Sequence, residues 1–422
     1  MKEINANEFD TIVLKGEKVV VDFYSSECPP CDALAPKFEG LAQLYGKDIL
    51  FCKIFRQQNR ELAEKLEVKS SPTLLFFRNG KEFAPRLSGG IKRGDIIKNL
   101  DSMLDADRVK AIKSGLKPFS SQCDVLILGG GPGGLTAGLY LCQAKINAVL
   151  VDIALPGGQI SSTHEISNYP GFIRPQPGYM LSHFMSEQTK MCGTVYKVAV
   201  DISHIDLQKK EVVIDEFETI KAKKIVLATG TSYNQLNVPG EKELKGKGIS
   251  YCATCDAKYF NNKEVVVVGG GNSAVEEADF IARFASKITV IQNLEVLTAN
   301  KKACEKLLNN PKVTVEYQST PISFARKDKK VVVAVKNLKN NKVKEIETDG
   351  VFIFIGMKPN TVLLGNQLGL DQWGYIKTNE DMQTNLPDIY AVGDVTSKKY
   401  RQITTAVADG TIAAIAISKE LS

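Results

Sequence analysis

The chain has 422 residues, enough for two or three domains of about 150 residues each. Hydrophobic residues make up 43% of it and charged residues 24%, a composition that excludes a disordered or fibrous protein. The formal net charge is +6, and the one dense basic stretch, 326–344, alternates lysines with strand-like runs, so we expect a solvated hairpin there and no nucleic-acid partner.

Residues 1–105 alternate short strands and helices. Cys28-Pro-Pro-Cys31 stands where a buried strand at 19–24 runs into a helix at 30–45. Cys28 would face the positive end of that helix, which makes it the expected attacking thiol. Asp22 on the preceding strand is a candidate for moving protons to Cys31, unless it is an ordinary surface residue. Residues 106–121 are polar and contain Ser114-Gly115 and Pro118, which predicts a helix-poor linker.

The same supersecondary unit occurs twice after residue 121, an internal repeat. In both copies a buried strand runs into a glycine-rich turn that opens a helix, and a second strand follows. The turns read Gly129-Gly-Gly131-Pro-Gly-Gly134 and Gly269-Gly-Gly271-Asn-Ser-Ala274. Such glycines allow a tight turn and let the backbone approach a pyrophosphate at the helix N-terminus. The sequence therefore predicts two dinucleotide-binding βαβ units.

The two copies differ where the ribose is expected. Asp152 ends the second strand of the first copy and can accept hydrogen bonds from ribose hydroxyls, whereas the matching Gln292 is neutral. The second unit therefore has a different ligand or a different preference.

A second cysteine pair, Cys252-Ala-Thr-Cys255, lies just before the second unit, and Asp256 follows it. A Cys-x-x-Cys pair at a helix start can close a reversible disulfide, and Asp256 is a candidate acid–base group for one thiol. The alternative for the two pairs is a four-thiolate zinc site. The two cysteine pairs of such a site are usually separated by roughly 15–20 residues. The separation between Cys31 and Cys252 is far larger, so no metal is inferred.

The N-terminal sequence, MKEINANEFD, lacks the apolar core of a signal peptide, and glycines and a proline interrupt the most apolar window, 125–144. We expect a cytoplasmic protein with no membrane partner. In a reducing compartment, nine cysteines favour redox or metal chemistry over structural disulfides.

Both halves resemble known families. Residues 1–105 resemble thioredoxin, with Pro72 as the expected cis-proline facing the disulfide. Residues 122–422 resemble the low-molecular-weight bacterial thioredoxin reductases in a long series of ordered segments: GGGPGGLTA at 129–137, GGQI at 157–160, SNYPGF at 167–172, ATG at 228–230, CATCDA at 252–257, GGGNSAVEEA at 269–278, IGMKPNT at 355–361, and AVGDV and YRQITTA within 391–406.

The resemblance implies an α/β fold class, in which an N-terminal thioredoxin fold is followed by two Rossmann-like domains. After the linker at 106–121, the FAD-binding domain is split into 122–237 and 358–422. A domain of the NAD(P)-binding type, with the redox pair CATC, is inserted at 238–357. In this family the inserted domain is thought to rotate about its two crossings, here 238–240 and 356–359.

The resemblance also assigns cofactors and site residues, with FAD in the first unit and a nicotinamide cofactor in the second. The expected catalytic residues are Cys252, Cys255, Asp256, Cys28, Cys31, Asp22 and Pro72. The expected FAD-site residues are Gly129, Gly131, Pro132, Gly133, Gly134, Asp152, Gly158, Gln159, Asn168, Thr229, Gly230, Gly393, Asp394, Arg401, Gln402 and Ile403. The expected nicotinamide-site residues are Gly269, Gly271, Asn272, Ser273, Ala274 and Gln292.

The sequence departs from the family at two places. NADPH enzymes of the family carry His-Arg-Arg after the second strand and another Arg four residues on, where this chain has Gln292-Asn293-Leu294 and Thr298. Arg forks are the usual partners of a 2′-phosphate, so we predict NADH rather than NADPH. The usual Trp-Cys-Gly-Pro-Cys of thioredoxin reads Glu27-Cys-Pro-Pro-Cys31, which should alter the redox potential and the choice of partner.

The leading prediction is a thioredoxin-disulfide reductase fused to its own thioredoxin domain. Electrons would pass from the reduced nicotinamide to FAD, to Cys252/Cys255, to Cys28/Cys31 and on to a protein disulfide or a peroxiredoxin, in a homodimer. The alternatives are a peroxiredoxin reductase, a ferredoxin-dependent flavin thioredoxin reductase, and a redox-sensing binding module without turnover. Whether the relay runs within one chain, and which of Cys252 and Cys255 attacks the thioredoxin domain, stays open at this stage.

Overall fold

The N-terminal domain is a mixed sheet with helices on both faces. The computed structural model describes residues 1–163 and 165–421. The strands are β1 (Lys2–Glu3), β2 (Lys18–Tyr24), β3 (Leu50–Phe55), β4 (Thr73–Arg78) and β5 (Lys81–Ser88), which pair in the order β1-β3-β2-β4-β5. The helices are α1 (Ala6–Phe9), continued by a π-helical turn Asp10–Leu14, then α2 (Pro29–Tyr45), a 3₁₀ turn Arg56–Gln58, α3 (Arg60–Lys65) and α4 (Arg93–Ser102).

Strand β2 is apolar because both of its faces are covered. Val19, Val21 and Phe23 lie in the cluster that also holds side chains of α1 and α3. Val20, on the other face, lies in the cluster formed with α2 and α4. This alternation follows from the two-residue period of a strand, and it places Asp22 on the α2 side of the sheet.

The segment 106–121 is not poor in helix, so that expectation is wrong. Helix α5 (Ala106–Ser114) begins after Asp105, whose side chain accepts the backbone N–H of Arg108 at 2.8 Å. Ile112 is buried in the same cluster as α2 and α4. A capping carboxylate and tertiary contacts, which include the buried Ile112 and the Arg108–Asp48 ion pair, stabilise a helix that local composition does not predict.

The next elements in the chain form most of a doubly wound sheet. The strands are β6 (Phe119–Leu128), β7 (Ala148–Asp152), β8 (Val195–Val198), β9 (Ile202–Asp206), β10 (Glu211–Ile214) and β11 (Glu218–Leu227). The helices are α6 (Pro132–Gln143), a 3₁₀ turn Gly158–Ser162, and α7 (Gly178–Cys192).

A second, smaller sheet system follows. Its strands are β12 (Thr231–Tyr233), β13 (Ile249–Ser250), β14 (Glu264–Val268), β15 (Lys287–Ile291), β16 (Val313–Glu316), β17 (Ser319–Lys327), β18 (Lys330–Asn337), β19 (Val343–Thr348), β20 (Gly350–Ile353) and β21 (Met357–Pro359). Its helices are α8 (Glu241–Leu244), α9 (Ala253–Asp256), a 3₁₀ turn Ala257–Phe260, α10 (Asn272–Ile281) and α11 (Lys301–Leu308). The parallel order is β13-β20-β14-β15-β16, and β17-β18-β19 form an antiparallel sheet that contains most of the basic stretch 326–344.

The C-terminal segment returns to the first doubly wound sheet. It contains 3₁₀ turns Val362–Leu364 and Gly393–Val395, strand β22 (Ile389–Ala391) and helix α12 (Ile403–Leu421). The sheet order is β8-β7-β6-β11-β10-β9, with β22 parallel to β11. Both glycine-rich turns therefore follow a parallel strand, β6 or β14, at the carboxyl edge where such folds bind dinucleotides.

The chain divides into two compact units. The first contains Met1–Gly158, Ser182–Gly230 and Thr361–Ser422, and the second contains Gln159–Leu181 and Thr231–Asn360. Along the described residues, no helix has the length and apolar character needed to cross a membrane.

Candidate functional site

Cys28 and Cys31 form a disulfide at the N-terminal end of α2. Cys28 is the N-cap residue, and its Sγ lies 3.3 Å from the backbone nitrogen of Cys31 and 3.5 Å from the carbonyl oxygen of Ser71. The Ser71–Pro72 peptide is cis, as the resemblance to thioredoxin implies. The structure thus brings together the cysteine pair and the Pro72 loop.

Asp22 is a buried carboxyl group and not a surface residue. Its side chain is 4% exposed, and its Oδ1 has no hydrogen-bond partner among the described residues. Burial raises the pKa of Asp22 to about 7, while the charge of Lys53, its neighbour in register on β3, acts to lower it. A carboxyl group with this pKa can exchange a proton at neutral pH, which is the property expected of a proton carrier for a thiol.

Substituting Asp22→Asn should stabilise the N-terminal domain at pH 8 more than at pH 5. The folded state holds the Asp22 proton up to about pH 7, against 3.8 for an exposed group, so the native carboxyl group loses stability as the pH rises through that window. At about 1.4 kcal/mol per pH unit, the loss reaches roughly 4 kcal/mol at most. Calorimetric unfolding of the full chain at the two pH values measures it.

Asp48→Asn is the matched control with the opposite sign. Arg108 Nε and Nη2 donate to Asp48 at 2.8 Å and lower its pKa. Its contribution is present at pH 8 and fades as the pH falls through the lowered pKa, so the variant should lose stability at pH 8. A gain from Asp22→Asn that is the same at pH 5 and pH 8 would contradict the ionisation argument.

Cys252 and Cys255 form the second disulfide, at the start of the one-turn helix α9. Both side chains are partly exposed. Ser250, which the sequence-based prediction did not include, accepts the backbone N–H of Cys252 at 3.1 Å and donates to Asp256 Oδ2 at 2.5 Å. The serine hydroxyl therefore links the predicted acid–base group Asp256 to the backbone of the redox pair.

The sequence-based prediction also did not include a buried carboxylate near the redox pair. Glu241 is 1% exposed and accepts hydrogen bonds from the backbone nitrogens of Leu236, at 3.0 Å, and Asn237, at 2.7 Å, and from the Tyr251 hydroxyl at 2.7 Å. Burial and this bond raise the pKa of Tyr251. Glu241 thus ties residues 236–237, just before the crossing at 238–240, to the residue before Cys252. Its position directly after Val238-Pro-Gly240 was the available sequence signal.

The first glycine-rich turn has the geometry of a pyrophosphate site. A Cβ on Gly131, the N-cap of α6, would meet nothing within 4 Å, which leaves space for a ligand. A Cβ on Gly134 would lie 2.0 Å from the Gly129 carbonyl oxygen, so this glycine is needed for packing. Asp152 Oδ2 accepts the Gly130 N–H at 2.5 Å, and burial raises its pKa. Asp152 therefore also supports the turn itself.

The C-terminal part of the expected FAD site contains a buried carboxyl oxygen, Asp394 Oδ1, that has no hydrogen-bond partner among the described residues. Burial raises the pKa of Asp394. Gly393 N donates to Asp409 Oδ2 at 2.9 Å, and the Arg401 guanidinium lies 3.9 Å from the centre of the Tyr375 ring. The unpartnered oxygen and the open space at Gly131 fit a ligand with hydroxyl donors and a pyrophosphate, as FAD has.

The remaining expected FAD-site residues fall in both units. In the first unit, a Cβ on Gly158 would lie 3.1 Å from Gly131 Cα, Thr229 and Gly230 follow β11 directly, and Gln402 and Ile403 stand at the start of α12. Pro132 and Gly133 form the first turn of α6. Gln159 and Asn168 belong to the second unit, where Gln159 Nε2 donates to the Thr231 carbonyl at 2.7 Å.

The second glycine-rich turn keeps the open position but changes the role of Gln292. A Cβ on Gly271 would meet only Thr298 Oγ1, at 3.9 Å, and Ala274 is fully buried beside Gly269. Asn272 and Ser273 begin α10. Gln292 is 3% exposed, donates from Nε2 to the Val296 carbonyl at 2.9 Å and accepts from Asn293 N at 3.1 Å. Its amide holds the loop that follows β15, and the binding of a ribose by Gln292 stays a prediction.

No group of three or more His, Cys, Asp and Glu side chains that could hold a metal ion occurs in the described ranges 1–163 and 165–421. His164, one of the three histidines of the chain, lies outside those ranges.

Comparisons with known proteins match both parts of the chain. The family model of the pyridine nucleotide-disulphide oxidoreductases matches residues 123–410, and the thioredoxin model matches residues 1–102. The thioredoxin reductase of Peptoclostridium acidaminophilum is 42% identical over 304 residues, which are 70% of this chain and 96% of the relative. That of Bacillus subtilis is 40% identical over 292 residues, 69% of this chain and 92% of the relative. The crystal structure of thioredoxin reductase from Streptococcus pyogenes superposes with a TM-score of 0.67 at 36% identity, over 71% of this chain and 98% of that chain.

Proposed function

The chain belongs to the pyridine nucleotide-disulphide oxidoreductase family and begins with a thioredoxin domain, and from that premise we propose that it is an FAD-dependent thioredoxin-disulfide reductase that reduces its own thioredoxin domain first. One observation carries the proposal: a single chain holds two disulfides, Cys252–Cys255 and Cys28–Cys31, each at a helix start. A Cys-x-x-Cys disulfide at a helix start is the arrangement expected of a reversible redox pair.

FAD, when bound, would supply two electrons from a reduced nicotinamide to a disulfide. In this proposal the first-turn glycines and Asp152 would hold its pyrophosphate and ribose, and Asp394 Oδ1 would accept a hydrogen bond from one of its hydroxyl groups. The chain's own step is thiol–disulfide exchange. A thiolate of the reduced Cys252/Cys255 pair attacks the Cys28–Cys31 disulfide, and its partner thiol then resolves the mixed disulfide, so that Cys252–Cys255 re-forms and Cys28 and Cys31 are reduced.

Two carboxyl groups are the proposed carriers of the protons in this exchange. Asp256, held by Ser250 Oγ, would take or give the proton of one CATC thiol. Asp22, with a pKa of about 7, would do the same for Cys31. Turnover of a protein disulfide such as insulin, followed with each electron donor, tests the function. If the flavin is reduced but no protein disulfide is turned over, the reductase proposal fails and a redox-sensing binding module replaces it.

We predict that NADH is preferred over NADPH by at least about tenfold in kcat/KM, or about 1.4 kcal/mol. The loop 293–298 lies next to the glycine-rich turn, since Thr298 N donates to the Gly270 carbonyl at 2.7 Å. Its side chains are mostly exposed and include no cation, and Glu295 is hydrogen-bonded to Gln318. A 2′-phosphate would meet no Arg fork there. Lys301 and Lys302 follow as exposed point charges.

Installing Arg at this loop tests the preference. The triple variant Asn293→Arg, Leu294→Arg and Thr298→Arg should move the specificity ratio toward NADPH. Val343→Arg, an exposed position on β19 of the same domain, is the control for added charge and should leave the ratio unchanged. Anaerobic titration with NADH, NADPH and reduced ferredoxin provides the comparison. If only reduced ferredoxin bleaches the flavin, ferredoxin replaces the nicotinamide cofactor as the proposed electron donor.

Two further features remain proposals. The terminal acceptor is proposed to be a protein disulfide, for which a peroxiredoxin is one candidate, and the oligomeric state is proposed to be a homodimer. Stopped-flow reduction of candidate acceptors and sedimentation of the holoenzyme measure the two.

A further inference from the structure

The thioredoxin domain packs against the FAD-type domain. The FAD-type domain is defined here as residues 119–158, 182–230 and 361–421, all in the first compact unit. The contact side of the thioredoxin domain is 29–37 on α2 and the turn 90–93. The contact side of the FAD-type domain is 155–156, 190, 194–201 and 217. We call this interface the dock. Both sides belong to the first compact unit.

Lys37 is the central polar contact of the dock. Its Nζ donates to the carbonyl oxygens of Val198, at 2.8 Å, and Ala199, at 2.7 Å, in the FAD-type domain, and to that of Ile91, at 3.1 Å, in its own domain. Burial lowers the pKa of Lys37 to about 8, against the opposing charges of Asp215 and Asp201. Three carbonyls around one partly desolvated ammonium form a specific contact, because without it the two carbonyls of the FAD-type domain lose a donor.

Two ion pairs flank this contact. Lys190 Nζ lies 2.7 Å from Asp32 Oδ2, and Lys92 Nζ lies 2.6 Å from Asp201 Oδ1. All four side chains are at least one-third exposed, so these pairs contribute orientation more than affinity.

The Arg93 guanidinium also lies 4.8 Å from the centre of the Phe217 ring across the dock. Ala33 packs at the edge of the hydrophobic cluster that includes Val198. Between the two domains lies a cleft of about 620 Å³, lined by Pro29, Pro36, Pro156, Val195 and Phe217 among others. Because of this cleft, the dock is packed less densely than a domain core. It therefore resembles a contact that can open.

The dock occupies segments that surround the Cys28–Cys31 disulfide. Pro29 and Asp32 flank the cysteines on α2, and a Cβ on Gly90 would meet Leu155 at 3.4 Å and Ala199 at 3.9 Å. Cys28 itself is only 9% exposed. A partner disulfide must bring its sulfur into bonding contact with Cys28, so the partner chain needs room against these same segments.

We infer that the dock is a reversible resting position, held by Lys37, that must open before Cys28 can attack an external protein disulfide. This inference rests on the proposed redox role of Cys28 and Cys31, but not on the nicotinamide or the FAD. Once the domain is free, the Cys28 thiolate attacks the partner disulfide, Cys31 resolves the mixed disulfide, and the partner leaves as a dithiol while Cys28–Cys31 re-forms.

The experiment uses the full chain with Cys252→Ser and Cys255→Ser, and dithiothreitol as the electron source for insulin reduction. The Lys37→Met variant in this background should reduce insulin at least threefold faster than its parent, and amide hydrogen exchange within 194–201 should rise. Lys98→Met, an exposed position on α4 of the same domain, should change neither.

A variant on the opposite side of the dock separates release from altered thiol chemistry. Lys190→Met with Asp201→Asn leaves the thioredoxin domain unchanged and should raise the rate in the same direction, by a smaller factor. Unchanged insulin rates in both dock variants would overturn the inference, as would unchanged exchange within 194–201. If the dithiothreitol-driven effects appear but nicotinamide-driven turnover is absent in the wild type, the proposed function fails and the dock stands.

Discussion

Substituting Cys28→Ser should lower nicotinamide-driven reduction of an external disulfide by at least about a thousandfold, while nicotinamide-driven bleaching of the flavin continues at the wild-type rate. The reason is that Cys28 is the expected attacking thiol at the start of α2, and a serine hydroxyl at this position cannot replace a thiolate in disulfide exchange. Stopped-flow absorbance at the flavin band and insulin turbidity measure the two steps on one sample.

Cys252→Ser and Cys255→Ser should also abolish turnover, but at an earlier step. In these variants Cys28–Cys31 should stay oxidised when the nicotinamide is added, which thiol labelling and mass spectrometry of the 28–31 peptide will show. Cys304→Ser, at a partly exposed free cysteine on α11, is the control and should keep full activity. Wild-type insulin reduction by Cys28→Ser would rule out the relay through the thioredoxin domain.

The Gly131→Val variant should purify with less than about a tenth of the wild-type flavin, a loss of at least about 1.4 kcal/mol in binding. The backbone of Gly131 has φ −74° and ψ 179°, which any residue can adopt, and its Cβ would meet no protein atom within 4 Å. The side chain would instead fill the space that the pyrophosphate needs. The fold should therefore survive while the cofactor is lost, which flavin absorbance and circular dichroism measure together.

Two glycines of the same chain provide matched controls. Gly271→Val makes the same change at the second turn, where the backbone is also extended, so it should keep the flavin but lose reduction by the nicotinamide. Gly134→Ala places a Cβ 2.0 Å from the Gly129 carbonyl oxygen and should destabilise the domain itself, by roughly 1–3 kcal/mol. The prediction is falsified if Gly131→Val retains full flavin.

Some of the site depends on short-range patterns and was accessible from the chain alone. The strand, glycine-rich turn and helix of each dinucleotide unit are contiguous, and so are the cysteine pairs with their helix starts. The burial of β2 follows from the apolar residues on both sides of Asp22. In each case the residues that determine the geometry are neighbours in sequence, so local spacing was sufficient to predict it.

Other features depend on contacts between distant residues, and only the tertiary structure decided them. Helix α5 is held by Ile112 in the core of the N-terminal domain, so composition alone misjudged it. Gln292 is buried against Gly270 and its amide holds the loop after β15, a contact that its spacing from the glycine-rich turn does not indicate.

The ammonium of Lys37 shows the same dependence most clearly, and the carboxylate of Glu241, whose partners lie 4 to 10 residues away, also becomes buried only in the folded conformation. A charged residue in a sequence is by default a solvated one, and neither position stands in a pattern that predicts burial. Glu241 is buried because two backbone N–H groups and the Tyr251 hydroxyl satisfy it. Lys37 is partly buried because three carbonyls, two of them more than 150 residues away, replace its water. The sequence by itself determined the chemistry of the cofactor turns and the thiol pairs, whereas the desolvation of Lys37 and Glu241 depends on partners that only the folded chain brings into contact.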